Sequence, residues 1–259
     1  MPDYLDVLAR DAKKAVVDGY YEVSKQFYVH AVSLKKAIIK SKQNAIITEV
    51  KASSPSRGPI KTDFNPAEVA RAMENGGATG ISVLTEPKHF NGSLGNLVKV
   101  RESVRLPILM KDIILDPIQL DAASRIGANV VLLIKAIFER GYCEVSLEKM
   151  IEQVHSKNLE VLLETHNEEE YQQAIETDAD LVGINNRDLR TLNVDLHITE
   201  RILNKHENAS KVVISESGVM TPTDLVFLRN CGAQAFLIGS SIMMADNIEK
   251  KVKEFVTTN

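Results

Sequence analysis

Eight short runs rich in Val, Ile and Leu recur along the chain, and their spacing restricts the fold more than any other feature. They are "AIITEV" at 45, "GISVLT" at 80, "LPILMK" at 106, "NVVLLI" at 129, "EVLLE" at 160, "DLVGIN" at 180, "KVVISE" at 211 and "QAFLIG" at 234. A segment with helical periodicity separates each from the next. A small-residue turn precedes every second run: "GGATG", "IGANV", "TDADL" and "CGAQA". Repetition in steps of two βα units fits a closed eightfold barrel better than an open doubly wound sheet. The open sheet would also supply continuous apolar strands, but no GxGxxG follows the first one. The expected fold is an α/β eight-stranded parallel (β/α)8 TIM barrel over residues 45–259. Residues 1–44 read as an N-terminal helical extension packed on it, with helical patterns in "YLDVLARDAKKAVVD" and "AVSLKKAIIKSK".

Local signals support the alternation. "NPAEVARAMENGG" offers Asn65 as N-cap, Pro66 at N1 and a glycine stop, and "TPTDLVFLRNCGA" repeats the scheme with Thr221 and Pro222. With 259 residues, 44% hydrophobic and 25% charged, the chain has the composition of an ordinary soluble protein with a sizeable core. Its 31 basic and 35 acidic residues give a net charge of -4 without a basic block, so nucleic acid is not an expected partner. Cys143 and Cys231 lack metal-ligand spacing and read as reduced thiols. The N-terminus carries early acids and no apolar h-region, and no run approaches a membrane span. The expectation is a cytoplasmic monomer with no membrane partner.

The active site of such a barrel lies at the carboxyl ends of its strands. In "AIITEVKASSPSRGPI" the first strand ends in Glu49 and Lys51, which share a face with Ile47 because residues i and i+2 point the same way. Lys111 ends the third strand, Glu164 the fifth, Asn185 and Arg187 the sixth, Glu216 and Ser217 the seventh, Gly239 and Ser240 the eighth. Leu109 and Lys111, Leu162 and Glu164, Gly183 and Asn185, and Ile214 and Glu216 each share a face, so the polar member points inward wherever its apolar partner does. A single such residue reads as a surface ion pair, whereas a set converging by register points to a site. Carboxylates and cations gathered in one cleft perturb each other's proton affinities, as acid–base catalysis requires. No His-Glu-His spacing indicates a metal, and no nucleophilic Ser has a His and Asp pair behind it. His89 and His166, just past strand ends, read as solvated loop side chains. The small-residue loops "SESGVMTPTDL" and "LIGSSIMMADN" after the last two strands form the phosphate corner common in this architecture, so a phosphorylated small molecule is the expected ligand.

In these motifs the sequence resembles the indole-3-glycerol phosphate synthase family of tryptophan biosynthesis. From about residue 30 onward, "EVKASSPSRG", "ISVLTEPKHFNGS", "PILMKD", "VVLLI", "LLETHN", "GINNRDL", "ISESGV" and "FLIGSS" match in order. The resemblance implies closure of the indole ring of 1-(o-carboxyphenylamino)-1-deoxyribulose 5-phosphate, with loss of carbon dioxide and water and no metal or organic cofactor. It implies Lys111 as the general acid at the ribulose carbonyl and Glu164 in the later dehydration. Lys51 would bind the anthranilate carboxylate and assist proton transfer. Glu49, Asn185 and Glu216 would orient hydroxyls and hold the lysines, with Arg187 supporting that network or the carboxylate. The phosphate would lie against Ser54, Ser217, Gly218, Gly239 and Ser240, and the anthranilyl ring against Phe90, Leu132 and Leu189. A lysine acid needs a proton affinity brought toward neutrality, and Lys51 is the cation expected to lower that of Lys111.

The chain departs from the family pattern at Ile113, where phenylalanine is common, so the ring is expected to meet a different surface there. Ala52 and Arg57 stand where a basic residue and lysine are frequent, and Pro87 and His89 vary the second loop. Two rival functions fit these residues less well. Phosphoribosylanthranilate isomerase chemistry needs a cysteine near the end of strand one, where this chain has Glu49 and Lys51. A barrel that binds a phosphorylated ligand without turnover has no need of both a proton donor and its partners.

Overall fold

The computed structural model describes residues 3–24, 26–27, 32–54, 58–61, 63–206 and 211–259, with the Ser54 side chain outside the description. Eight parallel strands close into a barrel in sequence order: β1 (Ala45–Val50), β2 (Gly80–Leu84), β3 (Ile108–Lys111), β4 (Val130–Ile134), β5 (Glu160–Thr165), β6 (Leu181–Asn185), β7 (Val212–Glu216) and β8 (Ala235–Ile238), which returns to β1. The expected barrel is observed, with strand boundaries within two residues of the apolar runs.

These strands are apolar on both faces because both are buried. Alternate residues feed two cores. Ile46, Ile81, Met110, Val131, Leu163 and Phe236 point outward beneath the helices. Ala45, Ile47, Leu109, Leu132, Leu162, Ile214 and Leu237 fill the barrel interior. Helices α3 (Pro66–Asn75), α5 (Pro117–Ile126) and α10 (Pro222–Asn230) start on proline, whose missing N–H costs nothing in the first turn. Asn65, Asp116 and Thr221 cap them, the last two in reciprocal capping boxes.

The segment before β1 supplies two helices, one at each end of the barrel. Helix α2 (Leu34–Lys40) plugs the amino end: Leu34 and Ile38 join the interior core, and a Cβ on Gly80 would lie 2.7 Å from Leu34 Cδ1. Glu160, the first residue of β5, accepts the Leu34 and Lys35 N–H groups at 2.8 and 3.2 Å and the Ser33 hydroxyl. A carboxylate there satisfies the orphan donors of the helix start and complements its dipole. Helix α1 (Tyr4–Val17) crosses the opposite mouth. Leu5, Leu8, Ala9 and Ala12 are buried against the interior core. Asp11 meets Lys88 and His89 of the β2 loop at 2.9 and 2.8 Å, while Asp3 and Asp6 meet Arg140 at 2.7 Å each. Partly exposed pairs of this kind contribute little net stability, so they orient a helix that apolar burial holds.

Candidate active site

The strand alternation that fills the interior brings the expected polar set to the carboxyl end. Lys111 Nζ lies 2.8 Å from Glu216 Oε2 and 3.1 Å from Glu164 Oε2, suspended between β5 and β7. Lys51 Nζ lies 2.5 Å from Glu49 Oε1. Glu49, Glu164 and Glu216 are at most 3% exposed. Two glycines make room for these carboxylates. A Cβ at Gly183 would stand 2.1 Å from Glu216 Oε1, and one at Gly239 would stand 2.5 Å from Glu49 Oε1 and 3.2 Å from Lys51 Nζ. Asn185 favours the ionised form of Glu164 and accepts the Arg187 N–H at 3.0 Å. Arg187 donates to the Leu192 carbonyl at 2.8 Å and bridges Val194, folding the β6 loop back beside the cavity.

The electrostatics differ from the sequence expectation in one respect. Burial disfavours the Lys111 ammonium, but Glu216, Glu164 and Glu49 outweigh it and hold the proton affinity above the usual lysine range. Lys111 is therefore a fixed cation at neutral pH, and the expected lowering by Lys51 is overturned because three carboxylates act on it. Burial also works against ionisation of Glu164, yet Lys111, His166 and Asn185 hold it well below the carboxylate range. Glu216 is pushed up, first by burial and then by the charge of Glu164, with Lys111 offsetting only part.

Both histidine readings need correction. His166 is 11% exposed with both ring nitrogens buried, Nε2 3.2 Å from Glu164 Oε1 and Nδ1 3.5 Å from Glu170 Oε2. Burial disfavours its charge, but the two glutamates raise its pKa to about 9. His89 is 15% exposed and bound to Asp11. The His166 signal was in the sequence: it stands two residues after Glu164, on the same face of an extended chain, and four before Glu170.

A cavity of about 550 Å³ opens over this layer. Fourteen of the fifteen expected site residues line it: Glu49, Lys51, Phe90, Lys111, Leu132, Glu164, Asn185, Arg187, Leu189, Glu216, Ser217, Gly218, Gly239 and Ser240. Ser54 pairs by its backbone with Gly58 in a short hairpin, its side chain lies outside the description, and Arg57 lies outside the described residues. Ile113 lines the apolar wall with Leu132, as do Tyr4, Leu5 and Leu8 of α1, which sequence reasoning did not place. It also missed two buried carboxylates. Glu86 accepts the N–H groups of Lys88, His89 and Phe90 at 2.7–3.0 Å and so shapes the loop that carries Phe90. Asp112 accepts from Tyr21, Thr85 and the Ile113 N–H at 3.0, 2.5 and 2.8 Å. Burial outweighs these donors and pushes its pKa up to about 6.

The corner formed by the last two loops has left-handed backbone. Ser217 and Gly218 have φ of 66° and 98°, and Gly239 opens the short helix α11 (Ser240–Met243). Asn186 donates to the Glu216 and Ser217 carbonyls at 3.0 and 3.2 Å, which fixes the turn. Ser241 Oγ donates to the Val219 carbonyl at 2.9 Å and ties the two loops together.

Residues 6–255 match the family model described as indole-3-glycerol phosphate synthase. The chain belongs to the indole-3-glycerol phosphate synthase family. Relatives carrying that name include one from Methanocaldococcus jannaschii, 46% identical over 86% of this chain and 82% of its own length. Another, from Caldanaerobacter subterraneus, is 40% identical over 94% of this chain and 92% of its own. The family assignment carries with it the class of enzyme, a lyase of tryptophan biosynthesis. Among solved structures, the N-acetylmannosamine-6-phosphate 2-epimerase from Clostridium perfringens superposes with a TM-score of 0.61, covering 83% of this chain and 93% of its own. At 16% identity that likeness concerns the fold alone. No described helix is long and apolar enough to cross a membrane.

Proposed function

We propose that the cavity binds 1-(o-carboxyphenylamino)-1-deoxyribulose 5-phosphate and that Lys111, Glu164 and Glu216 carry its conversion to indole-3-glycerol phosphate. The observation that supports these roles most is Lys111, an ammonium held between two buried carboxylates at the cavity floor, in a chain of this family.

In the first step the aromatic carbon bearing the carboxylate attacks the ribulose carbonyl. The carbonyl π pair moves to oxygen, which takes a proton from Lys111. The raised proton affinity of Lys111 is no obstacle, because an alkoxide is a stronger base than an amine and a fixed cation stabilises the charge as it develops. The electron pair of the bond to the carboxylate then restores the aromatic ring as carbon dioxide leaves. Glu216, biased toward its protonated form, stands beside Lys111 to return the proton. Dehydration follows: the ring hydroxyl takes a proton from the recharged Lys111 and departs as water as its bond to the ring carbon breaks, and Glu164, biased toward carboxylate, removes the proton from the neighbouring ring carbon whose loss completes the indole double bond.

Lys51, beside Glu49 and the turn at Gly239, meets the substrate carboxylate, with Glu49 keeping it placed. Asn185 and Arg187 orient hydroxyls. Ser217, Gly218, Gly239 and Ser240 receive the phosphate, and Ser54 adds to that corner from the β1 loop. Phe90, Leu132 and Leu189 flank the ring, with Ile113 beside them. The same reading has the chain acting as a cytoplasmic monomer without a nucleic-acid partner, in keeping with its net charge of -4. The test is the fluorescence of the indole product on mixing purified protein with the substrate in the presence of chelator. Saturable product formation is expected; binding with no indole formed would overturn the assignment.

A further inference from the structure

The carboxylate pair around Lys111 is asymmetric, and the asymmetry comes from outside the cavity layer. Glu216 uses Oε2 for Lys111, and its Oε1 is buried against Gly183 with no hydrogen-bond partner. Glu164 uses Oε2 for Lys111 in the same way, but its Oε1 faces His166 Nε2 at 3.2 Å. Both ring nitrogens of His166 are buried and outside hydrogen-bond geometry, so the contacts to Glu164 and Glu170 are ionic. Glu170 is itself held by the His166 N–H at 2.8 Å and the Asn167 amide at 2.6 Å, so the ring sits in a fixed frame.

We propose that His166 is a positioning residue: clamped between Glu164 and Glu170, it makes Glu164 the ionised and Glu216 the protonated member of the pair that shares Lys111. This deepens the catalytic reading above and rests on it. Glu164 from β5 and Glu170 from α8 (Glu168–Ile175) are the ionisable groups that act on the ring. Helix α6 (Lys135–Glu139), packed on both elements, carries Lys135 and Glu139, which pair with each other at 2.8 Å. The flanking strands β4 and β6 carry no titratable side chain. A cation on the far side of Glu164 opposes its protonation, and a proton entering the cluster then goes to Glu216, whose free oxygen has no competing partner. The two glutamates thereby take different roles although both touch the same lysine.

The experiment compares kcat and KM against pH for the unaltered enzyme, His166→Gln, Glu164→Gln and the double variant, with circular dichroism confirming that each is folded. In His166→Gln the acidic limb of the kcat profile is expected to move up by about one pH unit, with KM changed less than threefold. The His166 ring, followed by NMR of histidine-labelled protein, is expected to titrate above pH 8. In the Glu164→Gln background, His166→Gln is expected to have no further effect on kcat. An unmoved limb, or a ring that titrates below pH 6.5, overturns the proposal. If Glu164→Gln alone leaves kcat unchanged, the role given to Glu164 fails instead, and the NMR titration still decides the state of His166.

Discussion

Strand β5 carries two glutamates on one face, Glu160 at its start and Glu164 near its end, and they have opposite surroundings. Glu160 meets backbone N–H groups and a hydroxyl of the α2 start, none of which titrates near neutral pH. Glu164 meets an ammonium and an imidazole, and shares the first with another carboxylate. A carboxylate satisfied by backbone donors fixes a helix. One satisfied by titratable groups is set up to gain and lose protons. The two ends of the barrel differ in the same way: the amino end is plugged by α2, whereas the carboxyl end keeps a cavity beneath α1.

The largest effect expected at the carboxyl end is that of Lys111→Ala. Turnover should fall by roughly 10³-fold or more, since it removes both the proton donor and the fixed charge. Steady-state kinetics on folded protein check this, and a loss under tenfold would break the division of the two ends. At the amino end, Leu34→Ala should cost about 2–4 kcal/mol of unfolding free energy in a denaturant titration, because Leu34 is 1% exposed and packed over Gly80. Its kcat at 25 °C should stay within twofold.

A smaller effect sharpens the contrast through pH. Asp112 has a folded pKa of about 6, above its unfolded value near 3.8, so the folded state binds more protons between those limits. Its contribution is fully present below pH 4 and is lost as pH rises through 6. The shift corresponds to roughly 2–3 kcal/mol. Unfolding free energies from pH 4 to 7 for the unaltered chain and Asp112→Asn should differ by a slope of that sign, and parallel curves would remove Asp112 as a buried acid.

Much of this contrast was legible in the sequence. Period-two alternation put Lys111 on the inward face with Leu109 and Glu216 on the inward face with Ile214, and proline with a capping residue marked α3 and α10. What escaped were properties set by distant partners. No local pattern shows that α1 crosses the cavity while α2 closes the other end, because both are short amphipathic helices before β1. Lys111 was expected to be tuned by the nearest cation, yet the barrel's closure places Glu49, Glu164 and Glu216 on it from three strands. His166 read as solvated because burial after a strand end depends on α8 folding back, although the Glu164 and Glu170 spacings held the clue.

The most direct test sets the two glutamates of β5 against each other, measuring kcat and unfolding free energy on the same preparations of Glu164→Gln and Glu160→Ala. Glu164→Gln is expected to lose about 10²- to 10⁴-fold in kcat and to keep its stability within about 1 kcal/mol. Glu160→Ala is expected to lose about 1–3 kcal/mol of stability with kcat within twofold. Undiminished turnover in Glu164→Gln, or a loss of turnover in folded Glu160→Ala as large as that in Glu164→Gln, would contradict a catalytic cluster confined to the carboxyl end.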